Sequence, residues 1–243
     1  MVQSAGTLVA TVFRAASATS VDSGMELDPL SLAQPDRYKL LIGAIVPRPI
    51  AFVSTISPDG RHNLAPFSFF SGVGSDPMML LFCPANKADG SEKDSLRNAK
   101  PVAEGGVGEF VVNVAVENYA QSVAGAAEPL AYGESEFELV GLTPSPSRVV
   151  RPPRVAQSPV AFECRTDRVI RTGPGVPAAG NIVLGRVVHV FVRDDLINAR
   201  MHVDPVGLDA VGRMGGIGYV RTRDRFEVPM GRAALGTNEK PPR

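Results

Sequence analysis

The chain holds 243 residues, a length that one barrel or sandwich domain routinely reaches. Lys and Arg number 25 and Asp and Glu number 25, so the formal net charge is zero and no basic field exists to draw in a nucleic-acid backbone or an anionic membrane. Hydrophobic residues at 44% and charged residues at 21% exclude wholesale disorder, and 24 glycines with 21 prolines, without a period, point to many turns between short strands.

Residues 1–24 carry an apolar patch at 8–13 with no basic segment before it and no cleavage site after it, which argues against a secretory signal. Met25 opens MELDPLSL, where the composition changes, and reads as an alternative start; residues 1–24 are expected to be poorly ordered within an N-terminal extension over 1–36. From Asp36, the spacing of Tyr38, Leu41, Ile42 and Ile45 predicts a short helix that the Pro47-Arg48-Pro49 triplet must end. IAFVSTI and NLAPFSFF flank Ser57-Pro58-Asp59-Gly60, the signature of a hairpin. A Gly-rich turn and a turn at Ser75-Asp76-Pro77 follow, then MMLLFCP as a strand buried on both faces. A loop over 85–91, a brief helix over 94–100 stopped by Pro101, a strand over 109–116 and a weaker helix over 118–127 come next. Residues 158–172 and 181–193 read as long strands paired across a Gly-Pro-rich loop at 173–180. Beyond Leu196 the chain reads as irregular, with a solvated charged tail over 221–243. Six or more strands with only short helices make the fold mainly β, a closed antiparallel barrel spanning 37–220.

Cys83 and Cys164 lie apart in apolar runs without a CxxC pair, and read as buried thiols of a reducing, cytoplasmic compartment. No apolar run is long enough to span a bilayer. There is no P-loop, HExxH, GxSxG or paired-Cys metal spacing, and His62, His189 and His202 are scattered, so no catalytic residue and no metal site is assigned. The glycine clusters at 105–108 and 215–218 follow no strand-to-helix turn of a βαβ unit, which excludes a dinucleotide fingerprint. Lys93-Asp94-Ser95-Leu96-Arg97 opens the brief helix, where it is either a phosphate cradle or a plain cap, capping being the commoner role. Arg48 between its prolines is either a rigid anion clamp or an ordinary solvated side chain. The aromatics of NLAPFSFF are either core or a wall for a planar ligand.

Taken in order between residues 38 and 219, YKLLIGAIVPRPIAFVST, NLAPFSFFSGVGSDP, KDSLRNA, FVVNVA, VLGRVVHVFV and GRMGGIGY resemble the flavin reductase-like family with the FMN-binding split-barrel fold, the group that includes flavoredoxin. The resemblance implies a split β-barrel, antiparallel and Greek-key-like, and a homodimer with one FMN per protomer near the interface. It implies that Lys93 and Ser95, with Arg48, hold the FMN phosphate, and that Ser68, Phe69 and Phe70 face the isoalloxazine ring. Ser54, Thr55 and Asn63 would contact the ribityl chain or ring, and Arg213, Gly215 and Gly216 would approach from the partner chain. It further implies hydride transfer from NAD(P)H to flavin, with electrons passing to oxygen, to free flavin or to a redox partner such as a monooxygenase. A flavoredoxin-like electron carrier is the alternative, and a barrel that binds some other planar ligand is a third. The front end, 1–36, is longer than the family pattern requires.

Overall fold

The computed structural model describes residues 24–131 and 134–235, so the expectations for residues 1–23 lie outside the described residues. Its contacts gather the chain into two units. One holds the residues up to Pro47 with Met214–Gly218; the other holds Arg48–Arg213 with the residues from Tyr219 onward.

In the first unit α1 (Gln34–Ala44) forms where the spacing of apolar residues placed a helix. Pro35 occupies its first turn, where an N–H would have no helical partner, and Asp36 complements the positive end of the backbone dipoles. No side chain of α1 is buried, and Tyr38, Leu40, Leu41 and Ile45 are exposed. The segment Met214–Gly218 is a turn in which the Met214 N–H donates to the Gly218 carbonyl at 2.9 Å. Gly216 adopts φ +58° there, a conformation that suits a residue without a Cβ.

The second unit begins with β1 (Arg48–Pro49), β2 (Ala51–Ile56), β3 (His62–Phe67), β4 (Phe70–Ser75) and β5 (Met78–Phe82). It continues with α2 (Asp94–Ala99), β6 (Glu109–Val114), α3 (Ala120–Gly125), α4 (Glu136–Leu139), β7 (Pro144–Ser145) and β8 (Arg154–Val155). The long pair β9 (Val160–Arg171) and β10 (Asn181–Val192) follows, then α5 (Pro205–Leu208), β11 (Val211–Arg213) and β12 (Tyr219–Arg221). Seven strands form one sheet in the order β3-β2-β6-β9-β10-β5-β4, antiparallel at every step. Its two edge strands, β3 and β4, are joined by Ser68 and Phe69 alone. The edges therefore meet at that corner, and the sheet curls into a barrel left open along the seam. The chain is thus mainly β, as its turn-rich composition implied, and the barrel is split rather than closed.

Strand alternation sorts the core. Ala51 and Val53 of β2 point into the barrel with Phe67, Phe82 and Phe110, whereas Phe52 joins Leu64, Tyr119 and Phe137 in a second cluster. The Phe82 ring centroid lies 5.1 Å from that of Phe67 and 5.0 Å from that of Phe110. A Cβ at Gly185 of β10 would stand 2.4 Å from Phe110 Cζ, so the strand passes that ring only as glycine.

The hairpin tip between β9 and β10 is tied to the loop after β5. Asn86 donates from Nδ2 to the carbonyls of Gly173 at 3.1 Å and Val176 at 2.9 Å, and its N–H donates to Ala179 at 2.9 Å. Gly90, at φ +83°, approaches so closely that a Cβ would lie 2.2 Å from the Gly175 carbonyl oxygen.

Several expectations need correction. β5 is not buried on both faces: Met78 is exposed while Leu80 and Phe82 are buried. The Gly-rich stretch after Phe69 is not a turn but the edge strand β4, which keeps its pairing through an irregularity between Gly72 and Gly74. The helix over 118–127 starts as a 3-10 turn at Glu117–Tyr119 before α3. Beyond Leu196 the chain is structured, because β11 and β12 pair with each other and β11 with β1. Strands of two or three residues carry too little alternation to be read from sequence. Part of the charged tail is engaged: Arg221 pairs with Glu117, and Arg223 with Asp209 at 2.9 Å. Both cysteines are free thiols; burial pushes the Cys83 pKa up, and burial with the neighbouring Glu163 charge does the same at Cys164. Among the described residues no helix is long and apolar enough to cross a membrane.

Candidate functional site

β3 and the start of α2 face each other across a cavity of about 360 Å³, closed on a third side by residues 126–131 with Glu134 and Glu136. That volume suits a small organic ligand. Ala65, Pro66 and Phe67 give it an apolar wall, while Asn63, Lys93, Ser95 and Asn98 supply donors.

Lys93 stands immediately before α2 and has no hydrogen bond or ion pair from its ammonium among the described residues. Its side chain reaches solvent at the rim, yet the protein crowded around the ammonium, and then the positive charge of Lys87, lower its pKa. Lys87 arrives by a tight loop in which its N–H donates to Ser91 at 2.8 Å and Gly90 donates back to it at 3.0 Å. Its own charge is countered by Asp94 at 3.5 Å, a carboxylate shared with Arg97 at 2.9 Å. Two ammonium groups thus share one cavity, and the one at the helix start is uncompensated. An anion placed there relieves both the desolvation and the repulsion.

Ser95 is buried and accepts from Asn63 Nδ2 at 3.0 Å, which leaves its hydroxyl proton engaged by none of the described residues. Asn98 Nδ2 donates to Thr55 Oγ1 at 3.1 Å, fixing the amide against β2. Glu136 accepts the Leu64 N–H at 2.9 Å, and burial pushes its carboxyl above the usual range.

Of the residues singled out in the sequence, Asn63, Lys93 and Ser95 come together in this cavity. Arg48, Ser68 and Phe69 form another group at the barrel seam: buried Arg48 donates from Nε to Ser68 Oγ at 3.2 Å and holds its guanidinium 6.0 Å from the Phe69 ring. Phe70 follows as the first residue of β4, opposite Phe82. Arg213 is the ladder partner of Arg48 and stacks on Tyr219 at 4.6 Å. Gly215 and Gly216 lie in the turn of the first unit. Ser54 and Thr55 are fully buried and do not line the cavity; Ser54 donates to the Pro153 carbonyl and accepts from Asn113, and Thr55 accepts from Asn98.

Sequence reasoning passed over Ser57, Arg61, Lys87, Asn98 and Glu136, all of which line the cavity. The Asp89-Gly90 turn was a usable signal for Lys87, since it folds the chain back toward Lys93. Glu136 carried none, because its partner is a backbone N–H of a strand 72 positions away in sequence.

The model of the flavin reductase like domain matches residues 43–207. The chain belongs to the flavin reductase-like family. Within and around it, an uncharacterized protein of Halalkalibacterium halodurans is 41% identical over 206 residues, which is 84% of this chain and 95% of that protein. The solved structure of nitrilotriacetate monooxygenase component B from Bacillus cereus is 33% identical, with a TM-score of 0.79 over 86% of this chain and 100% of that one. That of 2-nitrobenzoate 2-nitroreductase from Pseudomonas fluorescens is 28% identical, with a TM-score of 0.73 over 85% and 96%. This chain thus aligns with each of the three along nearly the whole of that protein's length.

Proposed function

We propose that the protein binds FMN and works as an NAD(P)H-dependent flavin reductase, the reductase component of a two-component monooxygenase. The observation that carries this reading is the uncompensated Lys93 beside the free hydroxyl of Ser95 in a cavity with an apolar wall. The donor set fits the cofactor: a dianionic phosphate takes the lysine charge and the serine proton, and the ribityl hydroxyls have Asn63 and Asn98 within the same cavity. FMN supplies hydride acceptance from NAD(P)H and onward electron transfer when bound. This chain's residues bind and orient. Lys93 and Ser95 anchor the anion, Asn63 keeps the Ser95 oxygen in place, and Asn98 is itself held by Thr55. Arg48, expected at the phosphate, stands instead with Ser68 at the seam, and the two would present donors to the polar edge of the ring, with Phe69 and Phe70 bordering it. The 33% identity to a monooxygenase component B over its full length supports the reductase role.

The proposal extends to a homodimer. The exposed apolar residues of α1 and those of the edge region around β4, Val73 and Met78, give a second copy surfaces to cover. Arg213, Gly215 and Gly216 would then meet the cofactor of the partner.

An anaerobic visible spectrum of the FMN-loaded protein, before and after NADH and then NADPH, tests the reading. Rapid bleaching by either nucleotide is the expected result. A bound flavin that stays oxidised assigns the carrier role instead, and a protein that takes up no FMN overturns the proposal.

A further inference from the structure

A second opening shares no residue with the cavity beside Lys93. It lies between the segment 146–149, the end of the short strand β8, and the strands β9 and β10, and its volume is about 610 Å³. Arg154 lays its guanidinium 4.0 Å from the centroid of the Phe191 ring. One face of the guanidinium is thereby fixed, and its edge N–H groups make no hydrogen bond or ion pair with any of the described residues. Arg148, also lining the opening, uses its backbone N–H, while its guanidinium bonds none of the described residues.

The acid in the wall is already satisfied. Glu163 is 1% exposed, and its carboxylate accepts the N–H groups of Arg148 at 2.8 Å and Val149 at 2.7 Å while His189 Nδ1 stands 3.2 Å away. It pins the loop rather than neutralising the arginines. The opening therefore offers a planar, pre-oriented cation and a second cation at its rim, beside the apolar surfaces of Phe191 and Val149. A planar guanidinium whose fork is open binds a carboxylate through two parallel hydrogen bonds, and the Phe191 and Val149 surfaces beside it give the attached ring an apolar wall. Both features together select one chemical class.

We infer that this opening is a binding site for an aromatic carboxylate, held by Arg154 and Arg148 with its ring against the Phe191 and Val149 surfaces.

The test is calorimetric titration of the FMN-loaded protein with benzoate, with benzamide as the uncharged isostere. Benzoate is expected to bind one per chain, and R154A to weaken it by at least about tenfold, the loss of a bidentate charged contact. R148A is expected to weaken it less, and R154K, which keeps the charge and stem but not the planar fork, to fall between the wild type and R154A. Benzamide binds at least about tenfold more weakly if charge recognition holds. The flavin absorption should be unmoved by saturating benzoate. Absent benzoate binding, equal binding by R154A or benzamide, or displacement of FMN by benzoate overturns the inference. An acidic peptide that binds in an R154A-sensitive way while benzoate stays silent also overturns it, and makes the surface a protein contact instead.

Discussion

Two neighbouring polar regions of the second unit use the same residue types to opposite ends. Around β2, Ser54, Thr55 and Asn113 are buried with every side-chain partner inside the protein: Asn113 donates to the Phe52 carbonyl at 3.0 Å and to Ser54 at 3.2 Å, and accepts the Val155 N–H at 2.8 Å. Across α2, Lys93 and Ser95 line a cavity with an ammonium and a hydroxyl proton that none of the described residues engages. The first set ties β8 to the barrel, and the second is available to a ligand. The difference teaches that a serine or threonine beside a binding motif is assigned by what already holds its hydroxyl.

That contrast breaks if a change in one region produces the other's phenotype. The largest effect is expected from Asn113→Ala, which strands the buried Val155 N–H and takes a donor from the Phe52 carbonyl and from the Ser54 oxygen, at a cost of about 3 kcal/mol. Denaturant unfolding should show this loss, with FMN affinity per folded molecule unchanged. Lys93→Ala combined with Ser95→Ala should raise the FMN dissociation constant by about 100-fold, reflecting two charge-assisted contacts, while the melting temperature of the FMN-free protein moves little. Wild-type FMN affinity in that double variant would remove the phosphate assignment. Ser54→Ala should cost about 1 kcal/mol of stability without touching FMN binding; a weakened FMN site would return Ser54 to the ligand set.

The smallest effect sharpens the same comparison through pH. Lys93 has a lowered pKa in the ligand-free protein, and a bound phosphate dianion would raise it. Between those two values binding takes up a proton, so FMN affinity should fall as pH rises through the lowered value. Lys93→Arg, which stays charged, should flatten the alkaline part of that profile. A profile unchanged by the substitution would place the titrating group elsewhere. Within the fold, Glu136 gives a linkage of the same sign, read in stability rather than in binding. Its raised pKa means its contribution to stability declines as pH rises from its unfolded to its folded value, and Glu136→Gln should level that decline.

Much of the barrel was legible because long strands alternate. The pairing of β9 with β10, the hairpin of β2 with β3, and α1 and α2 all follow from periodicity and turn chemistry. β4 was not, since Gly72 and Gly74 mimic a turn and only the sheet partner β5 holds the strand extended. The site divides in the same way. KDSLRNA exposed Lys93 and Ser95, whose chemistry is local, whereas Lys87, Asn98 and Glu136 reach the cavity through loop closure and long-range contacts that no spacing records. The placement of Ser54 and Thr55 away from the cavity was hidden for the same reason, because the carbonyl of Pro153 that Ser54 bonds lies 99 positions away.

Hairpin tips are ordinarily where a chain accepts added residues most readily. The tip between β9 and β10 departs from that habit, because Asn86 grips it by three hydrogen bonds and Gly90 touches Gly175 with no room for a methyl group. The loop that grips it also carries Lys87 to the cavity. A tag or reporter grafted into residues 174–178 would thus act as a remote control on the cavity beside Lys93, and engineered versions of this protein should take their insertions elsewhere.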